Sequence, residues 1–239
     1  MRKYGAVFGL YARASILKTL LITACTVLSQ LLLTLLRLRR LSPGGTPLKP
    51  EEVFSGGGIR LPLLIGFLLL TAALCLPGRA PGAAYTLRRL KLGEKGVFLL
   101  HALANAVFYL FFWTAEIVLF YALSVWISRT YPTGAGEQAV FLGFYRSELL
   151  HALLPLQDLP LWIRNIMLLL AMSLSAAEVP LLCRQKRYSF SVLPAGALTA
   201  VFFVRGLTTG NHVFWAAGLL TSVILKLIYD FQTAGEGSA

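Results

Sequence analysis

Val97 to Ile127 reads VFLLHALANAVFYLFFWTAEIVLFYALSVWI, 31 residues in which Glu116 is the only formal charge. At about 1.5 Å per residue a helix of that length reaches about 46 Å, well beyond the ~30 Å hydrocarbon layer of a bilayer. That is too long for one upright span and too short for two. The stretch therefore predicts a single membrane helix that tilts or projects from one face.

The rest of the chain agrees with a membrane setting. Of 239 residues 57% are hydrophobic and only 13% charged, too few polar residues to clothe a water-soluble domain of this size. A net charge of +12 would suggest nucleic acid in a soluble protein. Here the Lys and Arg residues cluster between apolar runs, where anionic headgroups and the positive-inside rule explain them. Cys25, Cys75 and Cys183 are odd in number, widely spaced and set in apolar surroundings. They make neither a disulfide framework nor a metal pattern and read as small buried hydrophobes.

The remaining apolar runs predict an all-α, polytopic membrane protein forming one transmembrane domain over residues 1–239. Residues 1–14 combine Arg2, Lys3 and Arg13 with Tyr4, Val7, Phe8, Leu10 and Tyr11, as in a helix lying in a membrane interface. The N-terminus has no apolar run followed by a small-residue cleavage site, so no removable signal peptide is expected. Six spans follow at about 19–36, 61–76, 97–127, 165–182, 189–204 and 212–231. Gly- and Pro-rich breakers such as LSPGGTPLKPEEVFSGGG after the first span and PGRAPG after the second separate them. Residues 138–160 mix apolar side chains with Arg146, Glu148, His151 and Asp158, which suits an interfacial or re-entrant helix better than a span.

Six spans put both termini on one side. Thirteen basic residues then share that side and nine the other, a bias that predicts cytoplasmic termini in the cell membrane. On the cytoplasmic side lies Tyr85–Gly96, YTLRRLKLGEKG. As a short helix it would turn Leu87 and Leu90 one way and Arg88 and Arg89 the other, with Gly93 as its stop. On composition alone this segment is an anchor to headgroups. Lying across the ends of two spans, it is equally a mechanical handle.

The order of amphipathic start, two spans, a short charged helix continuing as YTLRRLKLGEKGVFLLHAL and a long third span resembles the membrane subunits of type-2 permeases of ATP-binding-cassette (ABC) transporters, in particular a small group from Gram-positive bacteria. The similarity is most specific over Tyr85–Phe112, weaker over FYRSELLHALLPL at Phe144–Leu156, and elsewhere one of layout. The resemblance implies that the charged segment is a coupling helix docking on a separate ATPase subunit through Tyr85, Arg88, Arg89, Lys91, Glu94 and Lys95. It implies as partners that ATPase, a second permease copy or related chain, and membrane lipids, with no nucleic acid. One departure is plain: such permeases carry re-entrant helices between the fifth and sixth spans, whereas here the long amphipathic connection follows the third.

Polar residues inside the spans are the candidates for a translocation path. Glu116 lies deep in the third span, where a carboxylate must be protonated, paired or facing water. His101 and Asn105, four apart on the same helix, either line a vestibule or bridge helices. Glu178 is within local reach of Arg184 or Lys186, and Lys226 can extend toward headgroups. The chain has no G-x-x-x-x-G-K-[ST], H-E-x-x-H, G-x-S-x-G or C-x-x-C, so nothing supports an enzyme, a metal centre or a cofactor. The expected function is a permease subunit moving a substrate by alternating access driven by an ATPase elsewhere. The alternative is a non-transporting membrane scaffold or sensor holding a cytoplasmic partner.

Overall fold

The computed structural model describes residues 2–41, 49–55, 57–76, 93–131, 138–184, 191–205 and 211–236, and these are chiefly helical, with no strand among the described residues. Helix α1 spans Arg2–Leu41 and is followed by α2 (Pro50–Phe54) and α3 (Gly57–Cys75). After α4 (Glu94–Thr130) come α5 (Gln138–Arg146) and α6 (Glu148–Leu153), then α7 (Leu159–Arg184), α8 (Val192–Arg205) and α9 (His212–Glu236). Five of these, α1, α3, α4, α7 and α9, are long and apolar enough to cross a membrane.

The separation of an interfacial helix at 1–14 from a span beginning near 19 is not found. Residues 2–41 are one helix of 40 residues, about 60 Å long. No Gly or Pro interrupts the stretch around Lys18, and one face, Val7, Tyr11, Ser15, Thr19 and Thr23, stays buried across the expected break. That face recurs every fourth residue, the helical repeat, so packing carries the helix through the charges at Arg13 and Lys18. The fifth expected span, 189–204, is helix α8, whose 14 residues cover about 21 Å and fall short of the hydrocarbon layer. The third and fourth expected spans both lengthen, α4 beginning at Glu94 and α7 at Leu159, which draws Arg164 into the helical bundle beside Asn165.

Side-chain pairs fix how the helices run. Tyr11 stacks on His101, with ring centroids 4.2 Å apart and planes 9° from parallel, and further along Gln30 faces Glu116, so α1 and α4 are parallel. Helix α7 is antiparallel to α4, since Trp162 meets Trp113 and the Ser173 carbonyl faces Asn105. Helix α9 runs parallel to α7, Ala216 sharing a cluster with Leu168 and Lys226 reaching Glu178. The starts of α1 and α4 and the ends of α7 and α9 therefore share one end of the bundle, called here the N-terminal end.

At the opposite end α2, α5 and α6 fold over the helices. Arg146 pairs with Glu51 at 3.3 Å and Arg60 with Glu148 at 3.1 Å, and Arg37 donates to the Glu52 carbonyl at 2.8 Å. Residues 138–153 thus form two short helices broken at Ser147. Helix α6 presses Leu149, Leu150 and Leu153 into the main core, so it caps the bundle. Between α1 and α3 the approach is close: a Cβ on Gly66 would fall 2.1 Å from Thr26 Oγ1. Only a glycine fits that contact.

Candidate functional site

Midway along the bundle, α3, α4, α6, α7 and α8 line a cavity of about 90 Å³. Its wall is chiefly Leu64, Phe67, Phe112, Leu168 and Met172, and its polar members include Arg60, Glu116, Asn165 and Thr199. A space so lined favours an apolar group over water, which needs two or more polar partners to settle. Arg60 is balanced by Glu148. Asn165 is committed to structure: its Oδ1 accepts from the Arg164 guanidinium at 3.1 and 2.9 Å, and its Nδ2 donates to the Ala152 carbonyl at 2.9 Å. The same Arg164, almost wholly buried, lies 5.6 Å from the Phe202 ring centroid, a cation–π contact that ties α7 to α8.

Glu116 is different. It is fully buried, and neither of its carboxylate oxygens has a hydrogen-bond partner among the described residues. The side chain facing it is Gln30 of α1, fully buried as well and also without hydrogen bonds at either amide atom. A carboxylate at the centre of a membrane helix costs about 3 kcal/mol on insertion scales. Gln30 still favours the charged carboxylate from where it stands, though no well-aligned hydrogen bond joins the two, and this facing buried pair is the strongest sign of chemistry in the bundle.

The other sequence candidates lie apart from this cavity. His101 is buried against Tyr11, and the Asn105 amide points to the Ser173 carbonyl at 3.5 Å. Each turns toward a neighbouring helix nearer the N-terminal end, His101 toward α1 and Asn105 toward α7. Glu94 and Lys95 open α4 and are exposed. Glu94 complements the positive end of the helix dipole, and Lys95 Nζ sits 5.9 Å from the Phe231 ring centroid of α9. Tyr85, Arg88, Arg89 and Lys91 lie outside the described residues.

Two polar features and one pairing escaped the sequence reading. Ser15, Thr19, Thr23, Thr26, Gln30 and Thr34 form a buried polar face along α1, and their three- and four-residue spacing was the available signal. Arg164 is a core residue of α7. Glu178, fully buried, has Lys226 Nζ at 2.5 Å and accepts from Ser191 Oγ at 2.5 Å, joining α7, α8 and α9. That ion pair joins two helices; Arg184 and Lys186, the local partners expected for Glu178, have no described side chains.

No family model matches the chain, nor does any curated protein or solved structure.

Proposed function

We propose that the protein is the membrane subunit of an ABC-type transporter, lying in the cell membrane with both termini in the cytoplasm and working with a separate ATPase and a second copy or related chain. The observation that carries this reading is the continuity of α4. It is a single helix from Glu94 to Thr130, so it starts at the charged stretch ending at Gly96 and passes Glu116 beside the cavity. A helix transmits a push along its axis, so force applied next to Gly93 reaches the cavity wall without an intervening loop. Arg88 and Arg89 are the proposed contacts with the ATPase, and ATP-driven closure of that partner would favour one of two arrangements of the bundle. The resemblance of Tyr85–Phe112 to a coupling helix followed by a membrane helix supports the same assignment.

Charge reversal tests it. In native membranes the tagged wild-type chain is expected to co-purify with an ATP-hydrolysing subunit, and R88E/R89E is expected to lose at least 90% of that activity, as about 1.4 kcal/mol of lost contact would produce. Retention of the same ATPase at wild-type level by the variant would refute the docking role. A stable ATPase complex that moves no substrate in vesicles while hydrolysing ATP would instead favour the scaffold.

A further inference from the structure

The buried polar face of α1 is interrupted on only one side of Glu116. Toward the N-terminal end of the bundle, Thr26, Thr23, Thr19 and Ser15 are all buried, and the hydroxyls of Thr19 and Thr23 have no hydrogen-bond partner among the described residues. The stacked pair of Tyr11 and His101 stands beyond them. Toward the opposite end the seam between α1, α2 and α4 becomes apolar within about a turn. Phe120 meets Phe54 edge-on at 5.4 Å, and Leu38, Val53 and Ile127 are buried with them in the same core. On that seam the hydroxyls of Thr34 and Ser124 donate to the carbonyls four residues back, as Thr26 does on the N-terminal side.

The asymmetry has a chemical consequence. A hydroxyl donates and accepts, so the two unsatisfied hydroxyls of Thr19 and Thr23 stabilise water between helices, while a wall of Phe, Val, Leu and Ile excludes it. The row leads to two carboxylate oxygens that are themselves too buried for solvent contact. Calcium or magnesium would need about six or more oxygen ligands; a proton needs one. An organic cation would need room beside the oxygens.

We propose that Glu116 is a proton-exchanging carboxylate, reached by water from the N-terminal end along Ser15, Thr19, Thr23 and Gln30, and sealed from the opposite end by the Phe54–Phe120 plug. The proton arrives on hydronium, bonds to a Glu116 oxygen and leaves a water molecule behind; release reverses the step. The groups around Glu116 from the packed elements are Gln30 of α1, Arg60 of α3 with its partner Glu148, Tyr109 of α4 and Asn165 of α7, with His101 at the mouth. Of these Gln30 faces the carboxyl directly and, being neutral, changes its hydrogen bonding without competing for the proton. Because the site needs no ATPase, it stands independently of the transport reading.

The test uses the full chain in phosphatidylcholine vesicles. Infrared difference spectra between acid and alkaline solution are expected to contain a carboxylic C=O band that shifts in D2O, survives in E148Q and is lost completely in E116Q. Q30L, which keeps the carboxyl, is expected to retain the band at a shifted frequency. With the native cysteines replaced by serine, T19C should react with a small water-soluble thiol reagent applied at the N-terminal end, and L38C should react from neither side. The proposal fails if E116Q and wild type give the same spectrum, if sodium at constant pH produces the change, or if T19C is unreactive from both sides. Should E116Q not fold, the Q30L band shift and the T19C reactivity decide it, and absence of either overturns the proposal.

Discussion

Replacing Lys226 with alanine is expected to lower the thermal midpoint of the purified protein by about 6–12 °C, the shift corresponding to about 3 kcal/mol in a chain of this size. Glu178 has no exposed side-chain surface, and its oxygens take the Lys226 ammonium and the Ser191 hydroxyl at 2.5 Å each. Removing the ammonium takes a balancing charge from a fully buried carboxylate, and the cost is mainly that of desolvated charge. The double variant E178Q/K226M, which removes both charges at similar volume, should recover most of the lost stability. Thermal unfolding in detergent, followed by circular dichroism, measures the three variants. Equal midpoints for K226A and wild type would mean that the contact joining α7, α8 and α9 contributes nothing to the fold.

The second large effect concerns the α1–α3 contact. Gly66→Ala should destabilise by about 2 kcal/mol, within the usual range for overpacking a filled interface. The new methyl would meet Thr26 Oγ1 at 2.1 Å, Cγ2 at 2.9 Å and Cβ at 3.0 Å. Rotating the threonine cannot relieve all three, so the helices must separate. Truncating the neighbour relieves most of it: G66A/T26A is expected to unfold close to wild type, and G66L, with a larger side chain, below G66A. If G66A and wild type share one midpoint, the helices do not approach as closely as described.

The membrane class and the positions of most helices were legible because they rest on local composition. A run such as Val97–Ile127 specifies a long helix without knowledge of its neighbours, and Gly/Pro clusters specify where helices stop. What was not legible depended on partners far away in sequence. Arg13 and Lys18 suggested that residues 1–14 lie apart from the first span, yet the buried repeat from Val7 through Thr23 binds them into one helix. Charge near an interface and charge on the lipid- or headgroup-facing side of a long helix look the same in one dimension. Lys226 meets Glu178 across 48 residues, and neither residue's immediate sequence carries that information.

The candidate site was legible in part for the same reason. Glu116 stood out from sequence because a single carboxylate in an apolar run is costly wherever it points. That it faces Gln30 and borders a cavity built by five helices follows from tertiary packing alone. His101 and Asn105 shared a helix face with each other but not a site with Glu116: fifteen residues separate His101 from it, about 22 Å along the helix.

The proposed transport role requires the cavity to change the side from which it is reached. Ala200, partly exposed on α8, lines that cavity, and A200C in a chain lacking Cys25, Cys75 and Cys183 gives a single reporter thiol. In vesicles containing the co-purified ATPase, reactivity toward a membrane-impermeant thiol reagent should favour one face without nucleotide and the other when ATP is held on the ATPase unhydrolysed. Reactivity from the same face, at the same rate, in both states would contradict the account.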